Sequence, residues 1–117
     1  VLQVVTDGQM ALDYLFCQGD YSHRDPEDFP SVVLLDLNMP KMDGFDVLKQ
    51  IRENPKTSLL PVVIMTSSSQ DVDMFKSYKN GCNGYVQKPV NFDEFIQAAN
   101  SLGMYWLMLN RNPLQKS

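Results

Sequence analysis

The chain has 117 residues, 44% of them hydrophobic and 21% charged, with a formal net charge of −4. That length fits one domain over residues 1–117 and is too short for two, and the composition excludes a disordered, collagen-like or repeat architecture. No basic cluster marks a nucleic-acid footprint, no apolar run reaches the roughly 18 residues of a membrane helix, and no signal peptide or lipidation motif is seen.

The chain opens at Val1 without a methionine, directly in an apolar segment, a pattern expected of a fragment. Val1–Val5 reads as a short strand. Thr6-Asp7-Gly8 starts a helix, with Thr6 or Asp7 as N-cap. Ala11, Leu12, Leu15 and Phe16 then repeat at helical spacing through Gln9–Cys17, and Gly19 is placed to stop that helix. Residues 20–30 are polar, acidic and carry two prolines, as a surface loop does. Val32–Leu37 is a β-branched and aliphatic run closing on Asp36 and Leu37. A strand apolar on both faces belongs in a buried parallel sheet. After the turn-rich segment Asn38–Gly44, a helix is predicted over Asp43–Glu53, with Phe45, Leu48 and Ile51 on one face and Asn54-Pro55 ending it.

Pro61–Thr66 is a second buried strand. A helix over Asp71–Asn80 is expected to turn Met74, Phe75 and Tyr78 inward, with Gly81 as its C-cap. Gly84–Gln87 is a short strand, followed by Lys88-Pro89. The stripe Phe92, Phe95, Ile96, Ala99, Leu102, Trp106 and Leu109 predicts a last helix over Phe92–Leu109, part of whose face could serve a dimer. Asn110–Ser117 reads as a polar tail. Strict alternation of strand and helix predicts an α/β fold, a doubly wound parallel sheet with helices on both faces. Ligands of such sheets bind beyond the carboxyl ends of the strands.

Three strand ends carry three different groups: the Asp36 carboxylate, the Thr66 hydroxyl and the Lys88 ammonium. Each alone is an ordinary residue, a loop acid, a strand threonine and a surface lysine. Together they suit phosphoryl transfer. The carboxylate is the nucleophile, the hydroxyl donates to a phosphoryl oxygen, and the ammonium neutralises charge on the same group. The two cysteines, Cys17 and Cys82, read as free thiols of a reducing compartment, and the single histidine, His23, sits in a polar loop rather than beside a thiol.

The segments Leu34–Gly44 (LLDLNMPKMDG), Val62–Ser67 (VVIMTS) and Gly81–Pro89 (GCNGYVQKP) resemble the three motifs of response-regulator receiver domains, in order. The intervals of 30, 49 and 52 residues from Asp36 to Thr66, Tyr85 and Lys88 agree with those of the chemotaxis receiver. The resemblance spans essentially the whole chain. It implies a flavodoxin-like sheet of strand order 2-1-3-4-5. It also implies that Asp36 accepts a phosphoryl group, assisted by Mg²⁺, and is not the catalyst of an enzyme in the usual sense. Asn38 matches the position whose backbone carbonyl ligates Mg²⁺. Thr66 and Tyr85 match the two switch residues, and Lys88 the lysine that holds the phosphoryl group. Pro89 matches a proline that follows a cis bond. Ser67 could touch the phosphoryl group or stand as an exposed loop serine.

The implied partner is a sensor histidine kinase in the cytoplasm. The long loop before Val32 and the tail GMYWLMLN resemble the stand-alone regulators paired with bacterial phytochromes, and a homodimer is a further expectation. The family also begins with a strand ending in paired acids, then a helix, and this sequence has neither. The usual metal site is therefore expected to be incomplete, with Asp43 and Asp46 reading as helix N-terminal acids. The sheet is expected to lack the strand between Val1–Val5 and Val32–Leu37, so that the chain would need a preceding segment or another chain to fill the slot. Two other functions compete with the phosphorylated switch. One is a pseudo-receiver, an interaction module of the same fold that is not phosphorylated. The other is an unrelated doubly wound or flavin-binding enzyme, against which stands the lack of a glycine-rich phosphate loop.

Overall fold

Runs of β-branched and aliphatic residues make the strands, and the apolar stripes between them make the covering helices. The computed structural model describes residues 2–37, 44–66, 71–87 and 91–109. In chain order these form β1 (Leu2–Val5), α1 (Gly8–Leu15), a 3-10 turn (Gly19–Tyr21), β2 (Val32–Asp36), α2 (Gly44–Glu53), β3 (Val62–Thr66), α3 (Asp71–Lys79), β4 (Gly84–Gln87), α4 (Phe92–Leu102) and β5 (Trp106–Leu109). All strand pairs are parallel, in the order β1-β5-β2-β3-β4.

The strand between β1 and β2 is the principal correction to the sequence reading. The helix expected to run to Leu109 ends at Leu102, where Gly103 caps it in a left-handed conformation (φ 64°). Trp106–Leu109 then enters the sheet between β1 and β2, pairing Val4 with Met108 on one side and Leu34 with Met108 on the other. The slot expected to need a preceding segment or a second chain is thus filled by this chain's own carboxyl-terminal strand. Two flanking edges would otherwise bury unpaired N–H and C=O groups, each costing about 1–3 kcal/mol, and β5 satisfies both.

Strand pleating divides the core. Val5, Val33, Leu35, Val62, Ile64, Leu107 and Leu109 pack with Ala11, Leu12, Leu15, Val47, Leu48 and Ile51 of α1 and α2. Leu34, Met65 and Met108 form a second buried set. Alternate residues of the same strands thus supply two clusters, which is why strands apolar on both faces are needed here.

Local signals account for the helix ends. Asp7 caps α1, its carboxylate accepting from the Met10 N–H at 2.8 Å. The helix stops two residues before the expected Cys17, which instead takes the left-handed conformation (φ 54°), and Gln18 N–H reaches back to the Asp13 carbonyl at 2.8 Å. Asn91 caps α4 through the Glu94 N–H. In α3 the expected inward face is corrected: Met74 and Tyr78 are 40% and 50% exposed, whereas Ser77 is fully buried. Among the described side chains of α3, the buried one is small. Phe75, also expected inside, has no described side chain, and the tail from Asn110 lies outside the described residues.

Thr57 closes α2, its buried hydroxyl donating to the Ile51 carbonyl at 2.6 Å. Thr57→Val keeps the shape and leaves that carbonyl unmatched. It is expected to cost about 1–2 kcal/mol in urea unfolding. An unchanged midpoint would show that water satisfies the carbonyl equally well.

Candidate functional site

The carboxyl ends of β2 and β3 lie side by side. Asp36 is the last residue of β2 and is only 2% exposed, and Thr66, the last residue of β3, is equally buried. Asp36 pairs with Met65, so Thr66 stands one residue further along the adjacent strand. Neighbouring strands are about 4.8 Å apart and rise about 3.3 Å per residue, so the two side chains start within one side-chain length of each other. A buried carboxylate and a buried hydroxyl at adjacent strand ends supply a nucleophile and a hydrogen-bond donor for an anionic group bound beyond them.

The site's floor explains why glycine opens α2. A Cβ at Gly44 would lie 2.9 Å from Leu37 Cδ2 and 3.3 Å from the Asp36 carbonyl oxygen. The helix therefore starts in contact with the backbone that presents Asp36. The sequence reading placed Gly44 both at the end of the turn-rich loop and in the predicted helix Asp43–Glu53, without assigning it this contact. Gly44→Val is expected to push α2 away from Asp36 and to lower stability by about 1–3 kcal/mol. A thermal melt unchanged from wild type would show that the contact relaxes freely.

Tyr85 pairs with Ile64 in the register of β3 and β4. It is half-buried against the cluster beneath α1 and α2. Tyr85 and Thr66 share the parity of Ile64, so they belong to the same sheet face, Thr66 at the strand end and Tyr85 one strand over. Asn38, Lys88 and Pro89, the remaining expected site residues, and Ser67 and Asp43 lie outside the described residues. Asp46 stands in the first turn of α2, as a helix-start acid.

For a divalent cation, the described residues do not fit by themselves. Among them no three His, Cys, Asp or Glu side chains come together as a metal would require. Asp36 offers one carboxylate there, and β5, which lies between β1 and β2, ends at Leu109 rather than on acids. No described helix is long and apolar enough to cross a membrane. Both cysteines are free thiols. Burial pushes the Cys82 thiol above its ordinary pKa, which suits a core residue rather than a nucleophile.

Comparison with known proteins gives a consistent picture. Residues 1–100 match the response regulator receiver domain family. The probable methanogenesis regulatory protein FilR2 of Methanothrix harundinacea is 37% identical over 112 residues, covering 96% of this chain and 70% of that protein. Response regulator Rcp1 of Synechocystis is 36% identical over 106 residues, covering 91% of this chain and 70% of that protein. Among solved structures, the bacteriophytochrome response regulator RtBRR superposes with a TM-score of 0.68 at 47% identity, covering 93% of this chain and 64% of that one. The phosphorylated cyanobacterial phytochrome response regulator RcpA gives 0.68 at 36% identity, covering 84% and 68%. The family match stops before β5, so the strand between β1 and β2 lies beyond it.

Proposed function

This chain belongs to the response regulator receiver domain family, and we propose that it works as a phosphorylation-dependent switch with Asp36 as the phosphoacceptor. The observation that carries the reading is the buried Asp36 carboxylate at the end of β2 with Thr66 one register step away on β3. A carboxylate oxygen attacks the phosphorus of a donor. The new O–P bond forms as the bond to the donor's leaving group breaks, and the product is an acyl phosphate. Thr66 donates to a phosphoryl oxygen, and Lys88 supplies the counter-charge. Movement of Thr66 toward the phosphoryl group frees room on the face it shares with Tyr85, and the altered surface around α3 and β4 is read by a partner protein or a second copy.

The proposed donor is a sensor histidine kinase in the cytoplasm, of the phytochrome type, since RcpA and RtBRR are named as phytochrome regulators. One observation favours a second reading, an interaction module of the same fold that is not phosphorylated: the described residues do not assemble a metal site.

Intact mass spectrometry after incubation with acetyl phosphate, with and without Mg²⁺, separates the two. A single phosphoryl adduct that mild alkali removes is expected. A folded chain that takes up none under either condition would leave the interaction module as the better account.

A further inference from the structure

The end of the sheet opposite Asp36 is held by one cation. Arg52, in the last turn of α2, donates from Nε to the Gly81 carbonyl at 2.7 Å. Its Nη1 donates to the carbonyls of Leu60 at 2.7 Å and Ser58 at 3.2 Å, and its Nη2 to Asn83 Oδ1 at 2.8 Å. Asn83 Oδ1 also accepts from the Val62 N–H at 2.8 Å, and the Asn83 N–H donates to the Val62 carbonyl at 2.7 Å. Every described acceptor of the guanidinium is neutral, and burial holds the Arg52 pKa below the ordinary arginine value. Gly81 closes over the side chain: a Cβ there would lie 3.1 Å from Arg52 Nε and 3.2 Å from Cγ, and φ is +98°. The fork thus ties the end of α2, the loop into β3 and the turn from α3 into β4. Lysine, with a point charge, cannot span these acceptors.

Each tied segment leads to the site. The amino end of α2 lies on the Asp36 backbone, β3 ends in Thr66, and β4 holds Tyr85 two residues past Asn83. β4 is an edge strand with four register pairs to β3, from Val63–Gly84 to Thr66–Gln87. Such a short edge ladder is weakly fixed unless something pins its register. The Val62–Asn83 exchange adds bonding just ahead of the first pair, and Arg52 locks it.

We propose that Arg52, acting through Asn83, is a positioning residue that pins the amino end of β4 so that Tyr85 keeps its register against Ile64, on the sheet face it shares with Thr66. The carboxyl end of β4 and α3 can then shift about this fixed point when Asp36 changes state; this second half rests on the phosphoacceptor reading.

The test uses the full chain with Arg52→Lys and, as the milder change, Asn83→Ala. Amide hydrogen exchange is read across the sheet, together with the ring resonances of labelled Tyr85 before and after acetyl phosphate. In both variants, exchange at Tyr85 and Val86 is expected to rise at least about tenfold relative to Leu34 and Leu35, as for a local rather than global opening. Phosphoryl uptake should stay near the wild-type level while the Tyr85 response is lost. Equal acceleration throughout the sheet, or a Tyr85 response like that of wild type, would overturn the proposal. A wild-type chain that takes up no phosphoryl group would remove the phosphoacceptor reading alone, because the exchange comparison needs no phosphoryl group and still decides whether Arg52 pins β4.

Discussion

Met108→Asp is expected to abolish cooperative folding. Met108 is fully buried at the centre of β5, between Val4 of β1 and Leu34 of β2. Loss of its apolar burial costs about 1.5–3 kcal/mol. An unpaired carboxylate in that position adds several more, or is protonated at comparable cost. The sum reaches the lower part of the roughly 5–15 kcal/mol that holds a domain of this kind together. Met74→Asp, at an exposed position of α3, is the control and should move the midpoint by no more than about 0.5 kcal/mol. Urea unfolding followed by far-UV circular dichroism reads both. A Met108→Asp protein as stable as the control would place residues 106–109 outside the sheet and restore the longer helix that their spacing suggests.

The second large effect is functional. Asp36→Asn retains the shape of the side chain and removes the nucleophilic charge, so phosphoryl uptake from acetyl phosphate should fall below detection while the circular dichroism spectrum is unchanged. Thr66→Val is expected to be milder. It keeps the nucleophile and deletes one hydrogen-bond donor to the phosphoryl group, worth roughly 1.5–3 kcal/mol when the acceptor is charged. That corresponds to about a tenfold to hundredfold lower rate of uptake. Uptake by Asp36→Asn equal to wild type would move the acceptor to another residue.

Much of this was legible in the sequence, for physical reasons that differ by element. β2 and β3 are continuous β-branched and aliphatic runs, and burial on both faces leaves them little alternative. Asp36 and Thr66 were legible because each closes such a run, where the geometry of a parallel sheet puts ligands. β5 was not legible. Trp106 and Leu109 lie three residues apart and continue the stripe of α4, and a four-residue apolar run fits either a helix or a buried strand. What decides it is tertiary: two unpaired strand edges on either side of one slot, and Gly103 ending the helix in time. The outward turn of Met74 and Tyr78 was hidden for a related reason. Helical spacing identifies a face by its large apolar residues, and the buried one among the described side chains of α3 is Ser77. The Arg52 fork was hidden because its acceptors are carbonyls and an amide from distant segments, with no complementary charge in the sequence to suggest it.

The central claim is that Asp36 forms the acyl phosphate. Borohydride reduces an acyl phosphate on aspartate to homoserine, which leaves a permanent mark at the acceptor. After incubation with acetyl phosphate and reduction, peptide mass mapping should find homoserine at position 36 and at no other aspartate. Homoserine at Asp7, Asp43 or Asp46 instead, or at no position in a folded protein, would contradict the account.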